Sequence, residues 1–180
     1  MTAVFVDRDG VINENRDDYV KSLEEFKLLP GAVRAAARLS AAGLRLVIVS
    51  NQQGIARGMI SPEALRLIDE RLLTELAGAG AQVAGVYYCP HAAEENCDCR
   101  KPKPGLLLKA AAELGIDLAG SVFVGDSPID IQAGVAAGCR TVLVLTGKTT
   151  PDQVSGLSLM PDYVAQDLSQ AVDWILQRTP

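Results

Sequence analysis

Five short apolar runs recur along the chain: AVFV at 3–6, LRLVIVS at 44–50, VAGVYYC at 83–89, SVFVGD at 121–126 and TVLVL at 141–145. Each is rich in β-branched residues, and none alternates cleanly between apolar and polar positions. That pattern predicts strands covered on both faces. Helical periodicity fills the intervals. Residues 31–43 (GAVRAAARLSAAG) are Ala-rich and end in Gly43. Residues 61–79 open with Ser61 as N-cap and Pro62 at the first helical position. Leu65, Ile68, Leu72 and Leu76 then repeat at helical spacing and make one apolar stripe. Residues 103–115 and 127–138 predict two more helices, and a weak strand near Tyr163 and Val164 precedes a last helix at 167–177. The stretch 147–161 reads as an irregular surface loop.

Strand and helix in alternation predict a parallel sheet with helices on both faces, a Rossmann-like three-layer α/β/α arrangement. No second domain, repeat or linker interrupts it, so residues 1–180 are expected to form one domain. The composition, 48% hydrophobic with a formal net charge of -5, contains no basic stripe and excludes a nucleic-acid or anionic-membrane partner. No apolar stretch approaches the roughly 20 residues of a membrane helix, and the N-terminus lacks the basic and apolar regions of a secretory signal. A cytoplasmic monomer is the expectation. In a reducing compartment, clustered cysteines read as metal ligands rather than disulfides.

In such a sheet the ligand sits at the carboxyl ends of the strands, so the residues just after each run belong together. Asp7 and Asp9 follow the first. One carboxylate can attack phosphorus while the other manages a proton. Ser50, Asn51, Gln52 and Gln53 follow the second run and offer a hydroxyl and backbone N–H groups to phosphate oxygens. Asp126 follows the fourth run, with Asp130 beyond it. Asp7 and Asp126 converging on one point repel unless a cation lies between them, and hard oxygen ligands suit Mg²⁺. Asp130 either orients its neighbours or is a solvated first-turn acid favoured by the helix dipole. In the rigid segment Arg100-Lys101-Pro102-Lys103-Pro104-Gly105, either Lys101 or Lys103 fits as the fixed cation a phosphoryl transition state needs. Cys89, His91, Cys97 and Cys99 form a Cys₃His set in a polar loop, the composition of a closed structural zinc site. Cys139 precedes a strand and reads as a small packed residue. Tyr87 and Tyr88 carry no assigned role.

DRDGVIN, VIVSNQ, RKPKPG and VGDSPID, in that order, resemble the four motifs of the haloacid dehalogenase superfamily of phosphatases, over nearly the whole chain. Within it, DRDGVIN, SNQQGIARG and C-x-H-x₅-C-x-C-R-K-P-x-P-G resemble signatures of the group of D-glycero-D-manno-heptose 1,7-bisphosphate phosphatases and histidinol-phosphatases. The resemblance implies Asp7 as nucleophile and Asp9 as acid/base. It places Mg²⁺ on the Asp7 carboxylate, the Asp9 backbone carbonyl and Asp126. It selects Lys101 over Lys103 as the phosphoryl-stabilising cation, with Ser50 as the other phosphoryl contact. Asn51, Gln52, Gln53 and Arg100 match positions that meet the substrate, as do Asn15, Arg16, Asp17 and Asp18. The sequence departs from the pattern at Val11, where many relatives have Thr. It departs again at Ser127, where heptose bisphosphate phosphatases often carry a basic residue, which removes one contact to the second phosphate. The implied activity is Mg²⁺-dependent removal of the 7-phosphate from a heptose bisphosphate, a small-molecule sugar phosphate of nucleotide-activated heptose biosynthesis. Histidinol-phosphate hydrolysis and a catalytically silent, zinc-stabilised binding module are the alternatives. The intervals 13–50 and 51–101 are too short for a separate cap domain, so the loop 89–99 has to supply part of the wall.

Overall fold

The first run becomes β1 (Ala3–Val6), followed by a long loop, α1 (Ala32–Ala41), β2 (Arg45–Asn51), α2 (Pro62–Gly78) and β3 (Val83–Cys89). The second half contributes α3 (Gly105–Leu114), β4 (Val122–Gly125), α4 (Pro128–Ala137), β5 (Arg140–Val144), β6 (Tyr163–Ala165) and α5 (Leu168–Leu176). This computed structural model describes residues 1–178; the last two residues of the expected 1–180 domain lie outside the described residues. None of the described helices is long and apolar enough to cross a membrane.

All strand pairs are parallel, in the order β3-β2-β1-β4-β5-β6. The unpatterned strand runs are now explained. Val4 and Val6 of β1 and Leu46 and Ile48 of β2 pack under α1, α2 and α5. The alternating residues Ala3, Phe5, Val47 and Val49 pack under α3 and α4. Both faces are buried, so both must be apolar. The chain winds outward through β2 and β3, returns to β4 beside β1, and winds the other way. The strand order therefore reverses between β1 and β4, and a crevice opens at their carboxyl ends. Asp7 and Asp126 lie there.

Local chemistry sets the helix starts. The Ser61 hydroxyl accepts the Ala64 N–H at 3.0 Å, and the Asp167 carboxylate accepts the Gln170 N–H at 2.8 Å. On α2, Ile68, Leu72 and Leu76 are buried and Leu65 is half-buried. Two expectations change. The third run is an edge strand and is largely half-buried rather than covered on both faces. The stretch 147–161 is not simply an irregular surface loop. Thr149 is buried, residues Pro151–Gly156 form a 3-10 helix, and the first residues pack onto the crevice.

If the apolar stripe of α2 anchors the helix, adjacent leucines must differ. Leu72→Ala, at a fully buried position, is expected to lower unfolding free energy by about 2–5 kcal/mol. Leu73→Ala, at an exposed one, should cost less than about 1 kcal/mol. Chemical denaturation of the two variants checks this, and equal losses would contradict the assignment of faces.

Candidate active site

The Asp7 N–H donates to the Val124 carbonyl at 2.9 Å, extending the β1–β4 ladder by one residue before the chain turns away. The Lys101 ammonium lies 2.8 Å from the Asp7 carboxylate and 2.6 Å from Asp130, and sits 5.5 Å from the centre of the Phe123 ring. Carboxylate oxygens of Asp7, Asp126 and Asp130 lie within 4.8 Å of one another, all buried. One ammonium thus faces three carboxyl groups. Burial pushes Asp7 up to about 6, with Lys101 pulling it down and Asp130 pushing it up. Burial, then Asp130 and Asp7, push Asp126 up to about 8. Burial works against the Lys101 charge, but Asp130 and Asp7 outweigh it and hold the ammonium protonated. A cluster that resists full ionisation alone is one that a divalent cation relieves, and its oxygen donors suit Mg²⁺. Asp130 is not a solvated acid. It is fully buried, and one of its oxygens accepts the Ser127 N–H at 3.1 Å and the Ser127 hydroxyl at 2.5 Å.

Asp9 has the opposite surroundings. Its carboxylate accepts both contacts from the Arg8 guanidinium at 3.1 Å, the Asn13 amide at 2.8 Å and the Gln52 amide at 2.7 Å. Burial pushes its pKa up, but Arg8, Asn13 and Gln52 outweigh that and hold it below the usual carboxylate range. Arg8 is itself fully buried, 5.6 Å from the Tyr88 ring centre and 3.9 Å from Asp69 of α2. The Tyr88 hydroxyl donates to Asp69 at 2.6 Å. None of Arg8, Asn13, Asp69 and Tyr88 stands out in the sequence as a site residue. One signal was available: an arginine between two acids at the end of an apolar strand must turn under the sheet edge and needs a partner there.

Asp126 is clamped from two loops. A Cβ on Gly10 (φ +83) would lie 2.2 Å from its carboxylate, and one on Gly147 would lie 1.9 Å from it. Both positions need glycine for this close approach. The Lys148 N–H donates to the Asp126 carboxylate at 2.8 Å, and the Thr149 N–H donates to its carbonyl at 3.1 Å. The Thr146 hydroxyl reaches the Gly10 carbonyl at 2.6 Å and ties the two loops together. Reading the fifth strand end as closely as the first four would have found this loop.

A cleft of about 190 Å³ opens over these acids. Its wall includes Asn15, Arg16, Asp17, Ser50, Asn51, Gln52, Gln53, Arg100 and Ser127, together with Tyr19 and Lys148. Asp18 is not on the wall. It is paired with Arg16 and Lys21 on the outside. Several wall residues hold others in place. Asn51 exchanges two hydrogen bonds of 3.1 Å with the Lys101 main chain. The Gln52 amide donates to Asp9 and, at 3.2 Å, to the Ser50 hydroxyl. The Gln53 amide donates to the Tyr19 hydroxyl at 2.7 Å, which fastens the loop after β1 to the loop after β2. Lys103 points away, to Asn96 and Asp98, so of the two candidate lysines only Lys101 enters the cleft.

Cys89, His91, Cys97 and Cys99 converge beside the wall. Adjacent ligand atoms are 3.5 Å apart for Cys89–Cys97 and Cys97–Cys99, 3.6 Å for Cys89–His91 Nδ1 and 3.2 Å for His91 Nδ1–Cys99. Tetrahedral zinc with bonds of about 2.3 Å to sulfur and about 2.0 Å to nitrogen keeps its ligands roughly 3.5–3.8 Å apart. The set fits that ion, through His91 Nδ1, with the His91–Cys99 approach of 3.2 Å somewhat closer than the ideal, and the sulfurs are too far apart for disulfides. The Arg100 guanidinium donates back to the His91 carbonyl at 3.3 Å. Cys139 lies in the apolar core against α3 and α4.

The family model of haloacid dehalogenase-like hydrolases matches residues 1–134, and a second model of this kind matches residues 98–171. The D-glycero-beta-D-manno-heptose-1,7-bisphosphate 7-phosphatase of Pseudomonas aeruginosa is 46% identical over 81% of this chain and 82% of its own. That of Bordetella bronchiseptica is 38% identical over 98% of this chain and 99% of its own. The crystal structure of D,D-heptose 1,7-bisphosphate phosphatase from B. bronchiseptica, complexed with magnesium and phosphate, superposes with a TM-score of 0.93 and covers 99% of this chain and 100% of that one. The enzyme from Burkholderia thailandensis, 32% identical, superposes with a TM-score of 0.75 over 98% of this chain and 99% of its own. With its motifs at one strand edge and this breadth of similarity, the chain belongs to the haloacid dehalogenase-like hydrolase family.

Proposed function

We propose that this protein is a phosphomonoester hydrolase that removes the 7-phosphate of D-glycero-D-manno-heptose 1,7-bisphosphate through an aspartyl-phosphate on Asp7. The observation that carries the reading is the buried acid cluster with its single lysine at the β1–β4 crevice, under a cleft that no cap domain closes among the described residues. The extensive similarity to enzymes of that name supports the substrate. The free thiols fit a reducing cytoplasm, where we place the enzyme as a monomer.

Asp7 attacks the phosphorus in line and the sugar alkoxide leaves. Lys101 and the Ser50 hydroxyl receive the equatorial oxygens, where charge gathers in the transition state. Asp7, Asp126 and the Asp9 backbone carbonyl would hold Mg²⁺, which when bound offsets the phosphoryl charge as a Lewis acid. Asp9 serves both half-reactions. In the free site its three donors keep it ionised, the form that takes a proton from the attacking water. A phosphate dianion beside it raises its pKa by like-charge repulsion, toward the form that protonates the leaving oxygen. Asp130 keeps Lys101 charged and aimed at Asp7. The zinc cluster acts structurally, fixing the strand end and loop from which Arg100 and Lys101 enter the cleft.

Phosphate release should show a higher kcat/KM for heptose bisphosphate than for histidinol phosphate, and the reverse order would overturn the substrate. Asp7→Asn should lower kcat by at least about 10³-fold; parental activity in that variant would reduce the protein to a binding module.

The acid cluster also predicts a pH-dependent response to metal. Asp7 and Asp126 have folded-state values near 6 and 8 against an ordinary 3.8. Their contribution to stability in metal-free protein is present below about pH 4 and is lost as pH rises through those values. Mg²⁺ replaces the protons, so its stabilisation should be larger at about pH 8.5 than at about pH 5. Thermal melts with and without Mg²⁺ at both values measure this, and equal shifts would contradict it. Metal analysis should find about one zinc per chain, and a chelator or Cys97→Ser should lower Tm and cut activity together. Zinc-free protein of unchanged Tm would remove the structural role.

A further inference from the structure

A bisphosphate presents two dianions. The reacting one is met at the bottom of the cleft by Lys101 and Ser50, and the other must be received nearer the mouth. Four cationic side chains line the cleft: Arg16, Arg100, Lys101 and Lys148. Lys101 is bound to Asp7 and Asp130. Arg16 is paired with Asp18 at 3.1 Å and Glu25 at 3.6 Å. Arg100 donates to a carbonyl. The Lys148 ammonium has, among the described residues, no hydrogen bond or ion pair, and the residue is exposed. Ser127 cannot substitute for it, because its hydroxyl already donates to Asp130.

The main chain beneath Lys148 is unusually well fixed for an exposed residue. Its N–H is held by the Asp126 carboxylate, the next N–H by the Asp126 carbonyl, and the loop by Thr146 on Gly10. Gly147 lets this loop lie directly against the acid. The result is a cation of long reach on a rigid base beside the reacting centre, and an ammonium receives phosphate as a point charge without a fixed approach direction.

We propose that Lys148 is a specificity-determining residue: with Arg100, its ammonium receives the second, non-reacting phosphate and makes the cleft selective for a sugar bisphosphate over the monophosphate. This rests on the bisphosphate reading above. The test compares heptose 1,7-bisphosphate with heptose 7-phosphate, which has the same reacting group and lacks the second phosphate. Parent enzyme should prefer the bisphosphate. Lys148→Gln should lower kcat/KM on the bisphosphate by about 10-fold, through KM, and change that on the monophosphate by less than about two-fold. Lys148→Arg should keep most of the preference. A preference unchanged in Lys148→Gln, or an equal loss on both substrates, would overturn the assignment to Lys148 and leave the bisphosphate reading standing. A parent with no preference for the bisphosphate would overturn both.

Discussion

Three carboxyl groups buried within 4.8 Å of one another are an arrangement a folded chain ordinarily avoids. Here their repulsion is contained by one ammonium, and much of the molecule serves to keep that ammonium in place. The sheet brings Asp7 and Asp126 together because the strand order reverses between β1 and β4. Helix α4 adds Asp130 from its first turn. Lys101 comes from the other side, braced by Asn51 through its main chain and held over Phe123. The residual negative imbalance favours uptake of a divalent cation. A site fully neutralised by its own side chains would have less reason to bind that cation.

The division of labour between Asp7 and Asp9 follows from strand geometry. Successive side chains leave a strand on opposite sides, so Arg8 turns under the edge while its two neighbours stay near the cleft. Buried there, it needs a countercharge and finds Asp9, with Asp69 and Tyr88 behind it. Asp9 is thereby stabilised as an anion, while Asp7, among other acids, is pushed the other way. Two identical side chains two positions apart gain different acidities from their surroundings, as a two-step hydrolysis requires.

The layers, the parallel sheet and the grouping of acids at one edge were legible because they depend on periodicity and on residues next to strand ends. The four zinc ligands were legible because their spacing is local. Other features depended on distances that sequence does not carry. Asp130 has the same sequence context whether solvated or buried, and only the arrival of Lys101 from the loop after β3 decides between them. Asn51 and Gln52 read as substrate contacts, yet each also holds another site residue, a distinction made by which neighbour the amide meets. Asp69 lies on a helix whose polar face looks ordinary until Tyr88 of the adjacent strand is placed against it.

Strand β3 ends the sheet, and its outer side presents backbone groups with no neighbouring strand. Such an edge is a template for pairing with another chain. Here it has seven residues, as many as β2, and its carboxyl end runs directly into the loop that carries the four candidate zinc ligands, the first of which is Cys89 itself. The Gln52 N–H also holds the Cys89 carbonyl at 2.7 Å, and the Ala56 N–H holds that of Pro90 at 3.3 Å. Both bonds tie the start of the loop that shapes the cleft to the segment after β2, on the inner side of the strand.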